Sequence, residues 1–175
     1  MRILGIDPGI AIVGWGVIDY DRMKAKAVDY GAITTGPEMK TENRIADVFR
    51  QMQHIIDVHK PDAVSIEELF FNTNQKTGII VAEARGVLLL AATLAGIPIY
   101  EYTPLQIKSA VVGYGRADKK QVIAMVTMLL KLEKPPKPDD TADALAAALC
   151  HAHSGTSALA ELYNHPTTMR GKIQY

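Results

Sequence analysis

Four acidic residues stand where a carboxylate could take part in chemistry. Asp7 ends one apolar run and is followed by Pro8-Gly9, and Glu67 ends a second apolar run. Asp140 and Asp143 lie three residues apart at the start of an alanine- and leucine-rich segment, so on a helix they share one face. Three separate stretches therefore place carboxylates at the ends of predicted elements, where a fold can bring them together.

Gathered carboxylates repel one another and raise one another's pKa unless a cation lies between them. Mg²⁺ binds proteins through one or two carboxylates, waters and phosphate oxygens, and the lack of a His/Cys cluster favours Mg²⁺ or Mn²⁺ over zinc. The acids therefore indicate metal-dependent phosphodiester cleavage. A two-metal site holds its ions about 3.5–4 Å apart, with one activating a water and the other stabilising the leaving 3′ oxygen. Asp7, at the end of a rigid strand, is suited to bridge both ions.

Each acid taken alone also has a purely structural interpretation. An Asp before Pro-Gly is an ordinary turn residue, and Glu67 with Glu68 could be solvated charges at a strand end. Asp140 and Asp143 could simply stabilise a helix N-terminus. The functional interpretation depends on the combination of the four.

Composition limits the kinds of protein this chain can be. Its 175 residues are most simply one domain, and the 19 basic residues balance the 19 acidic ones. A protein that binds nucleic acid through bulk charge would be basic, so any nucleic acid must be held by a local basic face. The single cysteine, Cys150, excludes an intramolecular disulfide and favours a reducing cytosol. The chain begins without a signal-peptide pattern, which predicts a cytoplasmic protein without a membrane span.

Apolar periodicity predicts the elements that must position the acids. Three successive strands, an antiparallel meander, are predicted at 2–7, 12–20 and 25–34. Further along the chain the patterns predict a helix at 42–59, a strand at 63–67, a loop at 70–76, a helix at 78–95, a strand at 97–102, and then helices opening near 103, 118 and 139. The second of these last three helices is predicted to end at Leu132, and Asp118 with Gln121 resembles a capping box at its start. Strands alternating with helices after a meander indicate an α/β fold with a mixed five-stranded sheet flanked by helices.

The predicted helix 78–95 is apolar almost all round, so it must be covered on more than one side. The sheet can cover one side, and either a second subunit or the rest of the monomer can cover the other. Glu83 and Arg85 interrupt the helix, which speaks against a membrane span. Beyond 1–153 the sequence becomes polar and aperiodic, so 154–175 is predicted to be a partly disordered C-terminal tail.

Basic side chains cluster around the Gly113–Gly115 turn and the helix start that follows it. They are Lys108, Arg116, Lys119 and Lys120. Such residues could contact DNA phosphates or could be a solvated helix start. Lys76 and Arg85 are weaker candidates of the same kind, and Arg85 could instead pair with Glu83 or anchor a dimer.

Two aromatic residues, Phe70 and Phe71, follow Glu67 in a polar segment. One of them could stack on an unpaired base, and the other could anchor the loop.

Several short motifs resemble, in order, those of the RuvC family of Holliday-junction resolvases. They are Gly5-Ile6-Asp7-Pro8-Gly9, Gly14-Trp15-Gly16-Val17, Ile66-Glu67, Ala84-Arg85-Gly86-Val87, Val111-Val112-Gly113-Tyr114-Gly115, Ala117-Asp118-Lys119 and Asp140-Thr141-Ala142-Asp143-Ala144-Leu145-Ala146. The resemblance spans roughly residues 1–153. It implies a ribonuclease H-like fold, a homodimer and Mg²⁺-dependent, paired symmetric nicking of four-way DNA junctions in recombination and repair.

The resemblance also assigns roles to residues. It implies that Asp7, Glu67, Asp140 and Asp143 are the catalytic, metal-binding carboxylates, although some members carry His at the position of Asp140. It implies 5′-phosphate and 3′-hydroxyl products, and it makes a branch-migration complex a possible partner. Phe70 aligns with the stacking aromatic of the family. Lys108 and Lys119 align with contacts to the DNA backbone near the scissile phosphate.

Two other function classes stay open at this point. A ribonuclease H-like enzyme acting on RNA or on RNA–DNA hybrids would use the same acids. A non-catalytic scaffold that binds junctions would need none of them, so the complete acid set disfavours it. An ATP-binding, actin-like protein is disfavoured by the small size of the chain and by the lack of a second Gly-rich phosphate loop.

Overall fold

The computed structural model describes residues 1–69 and 75–154, without the side chains of residues 75–77. In that part of the chain the elements are β1 (Arg2–Asp7), β2 (Ile12–Asp21), β3 (Lys24–Thr34), α1 (Thr41–His59), β4 (Ala63–Glu67), α2 (Gln75–Leu94), β5 (Ile99–Tyr102), α3 (Pro104–Val112), α4 (Lys119–Leu129) and α5 (Asp139–Ser154). None of these helices is long and apolar enough to cross a membrane.

The five strands form one mixed sheet in the order β3-β2-β1-β4-β5. β1, β2 and β3 are antiparallel neighbours, whereas β4 runs parallel to both β1 and β5. Arg22 and Met23, the two residues that connect β2 to β3, both have positive φ, which suits a tight hairpin between twisted strands. The prediction of an antiparallel meander followed by parallel strands is confirmed.

Helices cover both faces of the sheet. On one face, α5 packs on β1 and β2 through buried side chains such as Ile3, Ile18 and Leu145, and α3 and α4 pack against α5. On the other face, α1 and α2 pack through side chains such as Leu4 and Leu88. Neighbouring side chains of a strand point to opposite faces, so Ile3 and Leu4 belong to different halves of the core.

Helix α5 lies directly against the backbone of β1 and β2 because glycines face it. In the strand pairing, Gly5 lies opposite Gly16, and Asp7 lies opposite Gly14. A Cβ atom added at Gly5 would overlap the carbonyl oxygen of Ala144, and one added at Gly14 would overlap that of Asp140. We call Gly5, Gly14 and Gly16 the glycine seat of α5.

Several predicted boundaries differ from the observed ones. The predicted loop 70–76 overlaps α2, which already begins at Gln75; residues 70–74 lie outside the described part. β5 begins at Ile99 rather than Ile97, because the N–H of Ile97 donates to Ala92 of the helix before it. α4 ends at Leu129 rather than Leu132, where Lys131 takes a positive φ. The predicted tail beyond Ser154 also lies outside the described residues.

Candidate active site

Two of the predicted acids end neighbouring parallel strands. Asp7 is the last residue of β1, and Glu67 is the last residue of β4. The register pairs Ile6 with Ile66, so both acids directly follow the last position at which β1 and β4 pair. Parallel strands lie about 4.8 Å apart, which brings the two carboxylates to the same edge of the sheet.

The other two acids come from the first turn and a half of α5. The contact between Gly14 and the Asp140 backbone sets the start of this helix beside β2, opposite Asp7. The hydroxyl of Thr141 donates to the Gly31 carbonyl at 3.1 Å and adds a second tie to the sheet. The fold thus gathers acids from positions 7, 67, 140 and 143 at one edge.

Electrostatic coupling shows how closely the acids are gathered. Burial, and after it the charges of Glu67, Asp143 and Asp140, raise the pKa of Asp7 to about 8. Burial, followed by the charge of Asp143, raises the pKa of Glu67 to about 7. The pKa of Asp143 is also raised, mainly by burial. Close to neutral pH, this cluster therefore resists carrying its full negative charge.

Two lysines bring positive charge to the cluster. Lys119 Nζ lies 3.1 Å from Asp143 Oδ2 and 3.8 Å from Asp139 Oδ2. Burial opposes the charged form of Lys119, but the hydrogen bond and the charge of Asp143 outweigh it and raise the lysine's pKa. Lys108, on α3, lowers the pKa of Glu67 by its charge.

The position of Lys119 follows from helix capping. It is the first residue of α4, whose N-cap Asp118 accepts a hydrogen bond from the Gln121 N–H while the Gln121 side chain accepts one from the Asp118 N–H. This reciprocal pair fixes the direction in which the chain enters the helix. The sequence predicted this capping box, and the prediction is confirmed.

The donor chemistry of the cluster fits a hard divalent cation. Its partly buried carboxylates supply only oxygen ligands, and the raised pKa values of Asp7 and Glu67 indicate negative charge that a cation would relieve. Even so, among residues 1–69 and 75–154 no three His, Cys, Asp or Glu side chains are arranged to hold a metal ion. Lys119 contacts Asp143 instead. A cation that binds Asp143 must therefore share that carboxylate with the lysine or displace it.

The structure divides the candidate DNA contacts into three groups. Lys108 and Lys119 lie beside the acids, as their effects on Glu67 show. Arg116 and Lys120 are exposed on the same turn and helix start. Lys76 lies in the first turn of α2, but its side chain is outside the description, and Phe70 lies wholly outside it.

One contact of the site was not predicted. Arg85 Nε donates a hydrogen bond of 3.3 Å to the carbonyl oxygen of Glu67, and the same guanidinium pairs with Glu101 on β5. Pairing of Arg85 with Glu83 was the wrong interpretation, because the ion-pair partner of Arg85 is Glu101. The one feature of the sequence that pointed to this contact was a charged residue on a largely apolar helix.

Comparison with known proteins identifies the family. Residues 3–151 match the family described as "Crossover junction endodeoxyribonuclease RuvC". Proteins of that name from Alkaliphilus metalliredigens and Clostridioides difficile are 59% and 60% identical; the matches cover 89% and 88% of this chain and 94% and 91% of theirs. The structure of Thermus thermophilus RuvC in complex with Holliday junction substrate superposes with a TM-score of 0.84 at 36% identity, covering 89% of this chain and 94% of that one.

Proposed function

Because the chain belongs to the RuvC family of crossover junction endodeoxyribonucleases, with a ribonuclease H-like fold, we propose how its own residues resolve Holliday junctions. Asp7, Glu67, Asp140 and Asp143 form the catalytic site. The observation that carries this assignment is the mutual electrostatic effect of these acids, which come from three distant segments. A fold keeps such repulsion only where other interactions offset its cost or where a bound cation relieves it.

Each group of residues has a separate task in the proposed reaction. Lys108 and Lys119 bind the phosphate backbone beside the acids, and Arg116 and Lys120 extend the same basic surface. Asp7 and Glu67 hold fixed positions because each ends a buried strand. Asp143 and Asp140 face them from α5.

The family requires a divalent metal, and we propose Mg²⁺, two ions per site, with Mn²⁺ able to substitute. When bound, these ions would neutralise negative charge on the scissile phosphate and on its leaving 3′ oxygen. Without that charge the acid cluster repels a phosphate, so the acids themselves make cleavage depend on metal. We propose that the products carry 5′-phosphate and 3′-hydroxyl ends.

Comparison of three substrates tests this function. A four-way junction, a linear duplex of the same sequence and an RNA–DNA hybrid are incubated with the protein and increasing Mg²⁺. We expect paired nicks in the four-way junction only. Equal cutting of the duplex would contradict resolvase specificity, cutting of the hybrid alone would indicate a ribonuclease, and binding without cutting would indicate a scaffold.

Symmetric cleavage needs two sites, and α2 offers a surface for pairing two copies of the chain. Three large apolar side chains of α2 are exposed: Ile79 by 58%, Leu90 by 49% and Leu94 by 65%. With Gly86, where an added Cβ would meet nothing within 4 Å, they follow helical spacing along one stripe. We propose that this α2 stripe forms the homodimer interface.

Substitution of Leu90 by Glu tests the dimer. A charge buried in an apolar interface costs several kcal/mol, so we expect the sedimentation coefficient to fall to that of a monomer. The single subunit should stay folded, with one cooperative melting transition, because Leu90 is half exposed within one subunit. Paired nicking should give way to slow single nicks. Met128→Glu, at a side chain of α4 that is 61% exposed, is the matched control and should stay dimeric.

Three further proposals concern the protein's setting. We propose that residues 1–153 form the nuclease domain and that 154–175 form a separate C-terminal tail, which the family match over residues 3–151 supports. We also propose a cytoplasmic location and contact with a branch-migration complex. Co-sedimentation on junction DNA with such a complex would test the last of these.

A further inference from the structure

We propose that Arg85 is a positioning residue that holds the strand end carrying Glu67, an inference that rests on the proposed nuclease function. Arg85 lies on α2, far in sequence from the acids, and touches none of their carboxylates. Its effect would pass through the backbone of Glu67 and through Glu101. These are contacts within one subunit, on the side of α2 that faces the sheet.

The guanidinium of Arg85 joins two acceptors with different nitrogens. Nε donates to the Glu67 carbonyl at 3.3 Å, while a terminal nitrogen pairs with a Glu101 carboxylate oxygen. The planar guanidinium has its donors in a fixed arrangement, so placing one contact places the other. Because Glu101 is opposite Ile66 in the β4–β5 pairing, Arg85 is tied to both strands at the edge where the acids lie.

The backbone around Glu67 is thereby held from two sides. The N–H of Glu68 donates to the Tyr102 carbonyl at 2.9 Å, which fixes the chain just after Glu67 to β5. Arg85 fixes the preceding carbonyl to α2. β4 ends at Glu67, so the ladder pairing of β4 with β5 does not extend past that residue.

Burial makes this arrangement effective. The side chain of Arg85 is 14% exposed and that of Glu101 is 28% exposed, so water competes only partly for their hydrogen bonds. A charge-assisted hydrogen bond in such surroundings is shorter and stronger than a neutral one. A surface pair on the same helix would not restrain a backbone in this way.

Arg85→Lys is the direct test. Lysine keeps the positive charge and can still pair with Glu101, but its single ammonium cannot reproduce the fixed fork that reaches both acceptors. We expect Mn²⁺ affinity, measured by calorimetry without DNA, to fall by about 10-fold, as is common when a residue that orients a metal ligand is changed. The single-turnover cleavage rate at saturating junction should fall by about 10-fold as well. Junction affinity in Ca²⁺ should not change.

Arg50→Lys is the matched control, because Arg50 pairs with Asp47 at the surface of α1 and its side chain is 69% exposed. It should leave Mn²⁺ affinity and cleavage unchanged. Glu101→Gln is the second variant, and it tests the positioning role of Arg85 if Arg85→Lys fails to fold. It keeps an acceptor for Arg85 but removes the charge, so a smaller loss of Mn²⁺ affinity, about threefold, is expected.

The possible outcomes separate this inference from the proposed function. If the parent protein does not cleave a four-way junction, the proposed function fails. If the parent cleaves but the lysine variant, or the Glu101 variant in its place, keeps the parent's Mn²⁺ affinity and rate, the role of Arg85 fails. A lower melting temperature with unchanged metal affinity would show that the pair only stabilises the fold, which also overturns the inference.

Discussion

We expect Asp7→Asn to lower junction cleavage by about 10³-fold or more, equivalent to about 4 kcal/mol of transition-state stabilisation, and at the same time to stabilise the metal-free protein. Asparagine is close to aspartate in size but cannot supply the negative charge that binds a cation. The same loss of charge removes the repulsion from Glu67, Asp143 and Asp140. We expect about 2 kcal/mol of added stability at pH 8.5 in EDTA, seen as an increase of about 5 °C in melting temperature. Junction binding should be retained.

The dependence on pH tests whether charge is the cause. The pKa of Asp7 in the fold, about 8, lies above the model-compound value of 3.8. Folding stability is therefore lost as pH rises toward and through 8, and it is regained on acidification. The gap in melting temperature between the variant and its parent should shrink from pH 8.5 to pH 6.5. A gap that stays constant would show that something other than ionisation stabilises the variant.

The pH range of this experiment has a physical lower limit. Burial lowers the pKa of His151 to about 4 from 6.5. A buried neutral histidine costs stability as pH falls below 6.5, because the unfolded chain then takes up a proton that the fold excludes. This effect has the opposite sign to that of Asp7. Measurements between pH 6.5 and 8.5 therefore report on the acids.

Gly14→Ala should damage both the fold and the chemistry. The added methyl group would overlap the Asp140 carbonyl and lie 3.0 Å from the Thr141 nitrogen, so the start of α5 must move away from β2. Crowding of this kind costs about 3 kcal/mol, or about 10 °C in melting temperature. Because Asp140 and Asp143 move with the helix, we expect cleavage to fall by about 10²-fold, measured well below the melting transition.

Gly36→Ala is the control for that substitution. The three atoms nearest to its added methyl group all belong to the carboxylate at the end of the flexible Glu38 side chain, which can rotate away. Stability and cleavage should both stay close to those of the parent. If Gly14→Ala melts earlier but cuts at the parental rate, the glycine seat supports the fold without aligning the acids.

The sequence predicted the main features of the fold because they depend on local patterns. The apolar runs that end at Asp7 and Glu67 located β1 and β4, and apolar periodicity located β2 and β3. Since parallel strands end at a common edge, the proximity of Asp7 and Glu67 followed from the predicted sheet. Asp140 and Asp143 were predicted from their spacing at the start of a helix, and the resemblance to a known family supported the complete set.

What the sequence did not predict depends on contacts between distant segments. The pairing of Arg85 with Glu101 requires the packing angle of α2 on β5, which no local pattern encodes. The nearest opposite charge along the chain, Glu83, suggested the wrong partner. Likewise, Lys119 was predicted to contact DNA, but its ion pair with Asp143 depends on how α4 and α5 pack.

Helix α5 carries two of the four acids and is also the helix around which one half of the core is built. Most of its residues are buried, and many of them are alanines that let it lie close to the sheet. A change in the volume of one of these side chains would shift the helix and, with it, the spacing between carboxylates. The interior of this enzyme and its proposed catalytic geometry therefore cannot change independently of each other.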